Sequence, residues 1–286
     1  DFKWRPFQIA FQLLNIKSVC ALEEDDEGRE ERNLVDLAWF PTGGGKTEAY
    51  LGLIATLGFY RRIRFPEKEE RPSVHVIMRY TLRLLTSDQA DRLVRLIGAM
   101  NFVASEDHPD HSFADFRVGM WVGRDQSPND LKINDSRKEW GTNDPISSAE
   151  GNLMKLLNDN AEKRGTVIQF EVCPWCGEGR SPKEWAENWE VITPSGSTLP
   201  TLQGSCPNQE CRFHEGIPFS CIDDDLYMRP PTILLGTADK FVQLSKNPWA
   251  RSVDNDATSP IARDYNAKTM LAFHGSGGAK DPRPPD

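Results

Sequence analysis

Residues 42–48 read Thr-Gly-Gly-Gly-Lys-Thr-Glu, a run with the residue types needed to hold a phosphate. An oxyanion is gripped by backbone N–H groups turned inward, so side chains must not obstruct the turn. Gly43, Gly44 and Gly45 supply that freedom. Lys46 adds a compact positive charge for the β- and γ-phosphates of ATP, and the Thr47 hydroxyl can ligate Mg2+. The run "TEAYLGLIATLGFYRRI" that follows has helical character, and a helix N-terminus brings its positive end to the same place. Lys46 and Thr47 are therefore the catalytic candidates, with Thr42, Gly43, Gly44, Gly45 and Glu48 beside them in nucleotide binding. The strict pattern asks for Gly where Phe40 stands, so the match rests on its context, an apolar strand before and a helix after.

A second chemistry lies in the cysteines. Of the 6 in the chain, Cys173 and Cys176 form one close pair and Cys206 and Cys211 another. Zn2+ takes its ligands in a tetrahedron, which two short cysteine loops can supply in halves. Four thiolates leave no open position, so such a zinc is structural. Gly177 fits the tight turn after the first pair, and the gap 177–205 has room for a hairpin. His214 is an alternative fourth ligand. The other reading is two unrelated pairs of buried cysteines; Cys20 and Cys221 read as core thiols.

The elements that must position these groups follow from periodicity. "RPFQIAFQLLNI" at 5–16 has helical spacing, with Phe7, Phe11 and Leu14 on one face. "NLVDLAWF" at 33–40 is short and apolar and reads as a buried strand, followed by the glycine turn and a helix over 47–63. "SVHVIMRY" at 73–80 is a second strand. A helix over 87–100 is capped by Ser87 and buries Leu93, Leu96, Ile97 and Met100, and "FRVGMWVG" at 116–123 is a third strand. Strand and helix alternate, which predicts a parallel sheet with helices on its faces. The alternation then stops. Residues 124–225 are polar, with a helix around 147–164 and the four-cysteine module, and read as an insertion. Residues 1–123 and 226–286 read as the two parts of one α/β domain, the strand–helix pattern resuming in "PPTILLGTADKFVQL" at 230–244. "HGSGGAK" at 274–280 has no strand before it and reads as a loop, and the tryptophans read as packing groups before base-stacking ones.

The net charge of −9 argues against a general nucleic-acid binder, but charge is uneven. Residues 23–31 hold seven acids and one Arg, and 61–95 hold nine Lys/Arg against five Asp/Glu. No run of eighteen apolar residues and no secretory leader are present, so no membrane span and a cytoplasmic location are expected.

"PTGGGKT" resembles the first motif of superfamily 2 helicases and translocases, a likeness that implies a RecA-like motor domain. By the same resemblance, "RPFQ" at 5–8 matches the adenine-reading element, with Gln8 on the adenine edge and Phe7 beside it; an ordinary amphipathic helix is the competing reading. "MRYTLRLLTSDQADRL" at 78–93 resembles motif Ia, and "LLGTADKF" at 234–241 resembles motif Ib with Ala238 in place of Pro. The resemblance implies nucleic-acid contacts at Arg79, Thr81, Arg83, Thr237 and Lys240. The stretches "WFPTGGGKTEAYLGL", "MRYTLRLLT", "GMWVG", "CPWCG" and "YMRPPTILLGTADKF" together resemble the DrmA family, the large helicase subunits of the DISARM anti-phage system. That implies ATP-driven work on DNA in phage restriction, beside a DrmB-like partner with a domain of unknown function. A P-loop switch or assembly factor that never moves on nucleic acid, and a zinc-bearing binding module with a vestigial loop, are the alternatives.

Nucleotide hydrolysis also needs an acid on the Mg2+ and a group that orients water. In the helicases both come from Asp-Glu-x-His, which this sequence lacks. The opening "DFKWRPFQ" and the closing "AKDPRPPD" read as cut positions, so the segment is expected to be an incomplete first motor domain that needs the remainder of its own motor, including the arginine finger. An ATPase assay on these 286 residues alone is expected to give no robust turnover.

Overall fold

Among the described residues, the apolar runs Val76–Tyr80 (β1), Val118–Trp121 (β2), Phe219–Ser220 (β5) and Ile233–Thr237 (β6) share one sheet in the order β1-β6-β2-β5. Every pairing in it is parallel. The computed structural model describes residues 3–20, 30–31, 34–37, 39, 44–64, 74–80, 83–107, 115–123, 125–131, 148–158, 166–193 and 200–241. The chain divides into two units, Asp1–Pro66 and Glu67–Asp286.

In the first unit, helix α1 (Pro6–Cys20) packs on α2 (Lys46–Arg64). Phe11 meets Tyr50 edge-on at 5.4 Å, and the Tyr60 hydroxyl donates to the Cys20 carbonyl at 3.1 Å. Gly52 marks a close crossing, because a Cβ there would come within 2.7 Å of both the Trp4 ring and the Gln12 amide. The face that α1 turns inward is not the expected one. Gln8 is its buried residue, while Leu14 is 79% exposed. Phe7 and Phe11 are half-buried, and Gln8, Gln12 and Asn15 run along the covered side. Hydrogen bonding by Gln8 and the ring contact of Phe11 set the rotation of the helix, and Leu14 is left outside. Residues 34–37 and 39 are no strand, and Val35 is 94% exposed. A strand requires a neighbour to take its N–H and C=O groups. The regular neighbours described within 1–66 are helices, which give none. The acidic residues 23–29 lie outside the described residues.

The second unit carries the sheet. Helix α3 (Arg83–Asp107) makes the crossover that parallel strands require. It buries Leu93, Val94, Ile97, Met100 and Ala104, with Leu96 half-buried. It starts four residues before the expected helix, so Ser87 sits inside it and is not its cap; the helix-favouring Arg83, Leu84 and Leu85 extend it backwards. Asn101 holds the entry to β2 by donating to the Phe116 carbonyl at 3.0 Å and accepting from the N–H groups of Asp115 and Phe116. Asp115 there adopts φ +117°, the left-handed side of the map. β2 and β6 are buried almost throughout, as strands covered on both faces must be. Val74, Trp121, Leu226 and Leu234 form a cluster against which Phe241 packs.

Between β2 and β5 lie α4 (Ala149–Asn158), α5 (Pro182–Ala186), an antiparallel hairpin of β3 (Trp189–Ile192) and β4 (Thr201–Gly204), and a 3-10 turn, Arg212–His214. The hairpin falls within the gap where one was expected. β5, inside the stretch read as an insertion, pairs with β2 in the main sheet. The chain closes its described part with α6 (Asp223–Met228), β6 and α7 (Ala238–Phe241). The fold is thus the expected α/β class, a parallel sheet flanked by helices. No described helix is long and apolar enough to cross a membrane. Leu234→Ala, at the centre of the buried cluster, is expected to lower unfolding stability by about 2–5 kcal/mol, read from the urea midpoint.

Candidate functional site

Lys46 is the first residue of α2, so the glycine turn leads straight into a helix N-terminus. Gly45 adopts φ +88°, a conformation that disfavours any residue with a Cβ. A Cβ at Gly45 would also stand 2.8 Å from the Gln8 amide nitrogen. That nitrogen donates to the Gly45 carbonyl at 2.8 Å, while the Gln8 carbonyl oxygen accepts from the Arg5 N–H at 2.8 Å. The Arg5 guanidinium donates to the Gly44 carbonyl at 2.9 Å. The "RPFQ" element therefore fastens two consecutive carbonyls of the glycine turn. Carbonyls held from outside leave the N–H side of that turn facing the other way, as an anion grip needs. Gln8 was singled out from the sequence; Arg5 was not, although it lies in the same element. Thr47 and Glu48 follow in the first turn of α2, and Thr42 and Gly43 lie outside the described residues.

In the second unit the motif Ia and Ib stretches meet at the carboxyl end of the sheet, where open α/β sheets place their ligand crevices. Tyr80 of β1 is the register partner of Thr237 of β6, and Arg79 pairs with Gly236. Arg79 is exposed. Thr81 and the side chain of Arg83 lie outside the described residues. Lys240 corrects the expectation of a nucleic-acid contact. It is 4% exposed, its ammonium lies 2.7 Å from a carboxylate oxygen of Asp223, and it stands 5.8 Å from the centre of the Trp121 ring. Its charge is answered inside the protein. The acids at 223–225, unremarked in the sequence, are each engaged: Asp223 by Lys240, Asp224 by the Leu131 N–H, and Asp225 by Thr201, Arg117 and Arg229. Three successive acids in the first turn of a short helix were the signal that could have drawn attention to them.

The four cysteines of the predicted module converge. The sulfurs of Cys173, Cys176, Cys206 and Cys211 all lie within 4.8 Å of one another. Cys173 and Cys211 are 3.7 Å apart, and Cys176 and Cys206 are 3.6 Å apart. A tetrahedral Zn2+ with bonds near 2.3 Å sets its sulfurs about 3.8 Å apart, so the donor set fits such an ion. The first loop is a tight knuckle. Gly177 adopts φ +77° and donates to the Cys173 carbonyl, and the Cys173 N–H donates to Glu178. His214 is not a member of the cluster; its Nδ1 lies 3.0 Å from the Cys206 carbonyl. Burial pushes the Cys211 thiol up to about 11 and raises Cys206 as well. At Cys176 desolvation works upward, but the Glu178 backbone N–H and the neighbouring thiols outweigh it and hold that thiol below its ordinary value. Cys221 lies apart in the core, where burial raises it to about 12.

No protein-family model matches the chain. A curated relative, the DISARM protein DrmA of Bacillus paralicheniformis, is 36% identical over 259 residues, which cover 87% of this chain. The chain is similar to DrmA. It spans 20% of that relative's length, so the similarity reaches nearly all of the smaller sequence and a fifth of the larger one.

Zinc analysis of the purified protein is expected to find about one ion per chain. Cys206→Ser should lose it and Cys221→Ser should keep it. Because each thiol sheds its proton on binding, retention should weaken as pH falls.

Proposed function

We propose that the chain is the N-terminal motor segment of an ATP-dependent DNA helicase or translocase that acts in bacterial defence against phage DNA. The observation that carries this reading is the fastening of Gly44 and Gly45 by Arg5 and Gln8 at the start of α2. An amide has two donors and an oxygen with two lone pairs. Gln8 uses one of each within the protein, which leaves a matched donor and acceptor, the pair an adenine edge takes. One amide thus serves base recognition and loop shape together. Gly44 and Gly45 would present N–H groups, Lys46 would neutralise phosphate charge, Thr47 would hold the metal, and Glu48 lies in the same turn. The Mg2+ supplies Lewis-acid polarisation of the transferred phosphoryl group. Arg79 at the end of β1 and Thr237 at the end of β6, with Thr81 and Arg83 close in sequence, would touch the DNA backbone, which positions without reading sequence. The four-cysteine cluster would hold a structural Zn2+ within an insertion at 124–225 of the motor domain. The similarity to DrmA supports a place in a DISARM system, with a DrmB-like partner and the rest of the motor completing the machine.

The burial of Lys240 favours a second reading, a P-loop switch that does not move on nucleic acid, since it removes one expected phosphate contact. DNA stimulation of ATPase activity in the full-length protein separates the two, and its absence selects the switch. Lys46→Ala is expected to lower that activity by about a hundredfold or more. Full activity in Lys46→Ala would instead leave a metal-bearing binding module with a vestigial loop.

A further inference from the structure

The cysteine loops do not stand away from the domain; they clasp α3. Each contact is made by a residue within two positions of a cysteine ligand. The Arg95 Nε donates to the Pro174 carbonyl at 2.8 Å, beside Cys173. Gly98 lies beneath Trp175 and Phe213, which neighbour Cys176 and Cys211. A Cβ at Gly98 would stand 2.6 Å from the Phe213 ring and 3.2 Å from the Trp175 ring. The Arg212 guanidinium lies 3.5 Å from the centre of the Phe102 ring. Positions 95, 98 and 102 recur at helical spacing, so they make one stripe along α3. Trp175 and Phe213, one from each cysteine pair, also pack on each other at 5.5 Å. The backbone is tied in as well, since the Cys206 N–H donates to the Phe213 carbonyl at 2.8 Å.

We propose that the metal centre is a clamp that sets the position of α3, and through it the motif Ia segment at the helix start. This clamp requires the zinc proposed for the four cysteines. The ion joins two loops, 173–176 and 206–211, that contribute different walls of the slot around Gly98. With the ion bound, Pro174, Trp175, Arg212 and Phe213 are held in one arrangement. Once it is removed, the two loops lose the four bonds that join them. The slot then opens, and α3 loses its outer support. Glycine within a helix weakens it relative to alanine, so position 98 depends on that support. Arg95, Gly98, Phe102 and Arg212 are positioning residues in this scheme, since none touches nucleotide or nucleic acid.

The test is hydrogen exchange on the full-length protein before and after metal removal by a chelator, with metal content measured in the same samples. Amides of 95–102 are expected to exchange about tenfold faster after removal, while those of Ile54–Arg61 in α2 stay unchanged. Arg212→Ala and Arg95→Ala, which leave the cysteines intact, should keep the metal yet raise exchange in the same stretch. Loss of the ion with α3 protection unchanged would overturn the clamp. A protein that carries no metal and takes up no Co2+, judged by the thiolate charge-transfer band, would overturn the zinc reading and the clamp with it.

Discussion

A carboxylate shut away from water must have its charge answered on every side, and at Asp225 the answers come from separate parts of the chain. It is 0% exposed. Thr201 of the inserted hairpin donates to it at 2.9 Å, Arg229 at the end of α6 approaches at 2.8 Å, and Arg117 at the entry to β2 lies at 3.5 Å. Arg229 also donates to the Pro200 carbonyl, so the same guanidinium reaches the strand that carries Thr201. Breaking such a buried pair commonly costs 3–5 kcal/mol, whereas making it yields far less. The role of Asp225 is therefore specificity of arrangement. The hairpin, α6 and the sheet entry can meet in one way that satisfies it, and β5 and β6 are brought to the sheet on either side of that junction.

The cysteine cluster and the glycine turn solve a related problem at other scales. In each, a short loop must hold a shape that its own backbone would not keep. At the turn, Arg5 and Gln8 grip the carbonyls of Gly44 and Gly45 from outside. At the cluster, the sulfurs converge and the residues beside them press against α3. Both loops depend on glycines chosen for what lies opposite. Gly45 gives way to the Gln8 amide, and Gly98 gives way to the Phe213 ring.

What could be read from the sequence was chemistry with a short range. β-branched runs identified β1, β2 and β6, and cysteine spacing identified four thiols that do converge. The glycine turn was legible as a turn because the residues that make it are adjacent. The misreadings share a cause, which is partnership across long separations. Leu14 looked inward by spacing, but Gln8 and Phe11 chose the covered face. Lys240 was expected to contact nucleic acid, but Asp223, seventeen residues earlier, takes its charge. The apolar run at 33–40 carries the signs of a strand, yet its described residues, 34–37 and 39, have no ladder partner among the described residues, and pairing cannot be read from one segment. Gly98 drew no notice in the sequence, since the rings that require it lie more than seventy residues further on.

The order β1-β6-β2 has a consequence for how the protein comes into being. β1 and β2 are synthesised first, yet neither is the other's neighbour. The strand that belongs between them emerges only after everything from Val122 to Thr232 has been made. Until then a strand-wide slot stands between two apolar edges, and any other extended segment of suitable composition can enter it. The inserted hairpin and cysteine loops are made during that interval. Only with the arrival of its central strand can a nascent chain of this kind join β1 and β2 in one sheet.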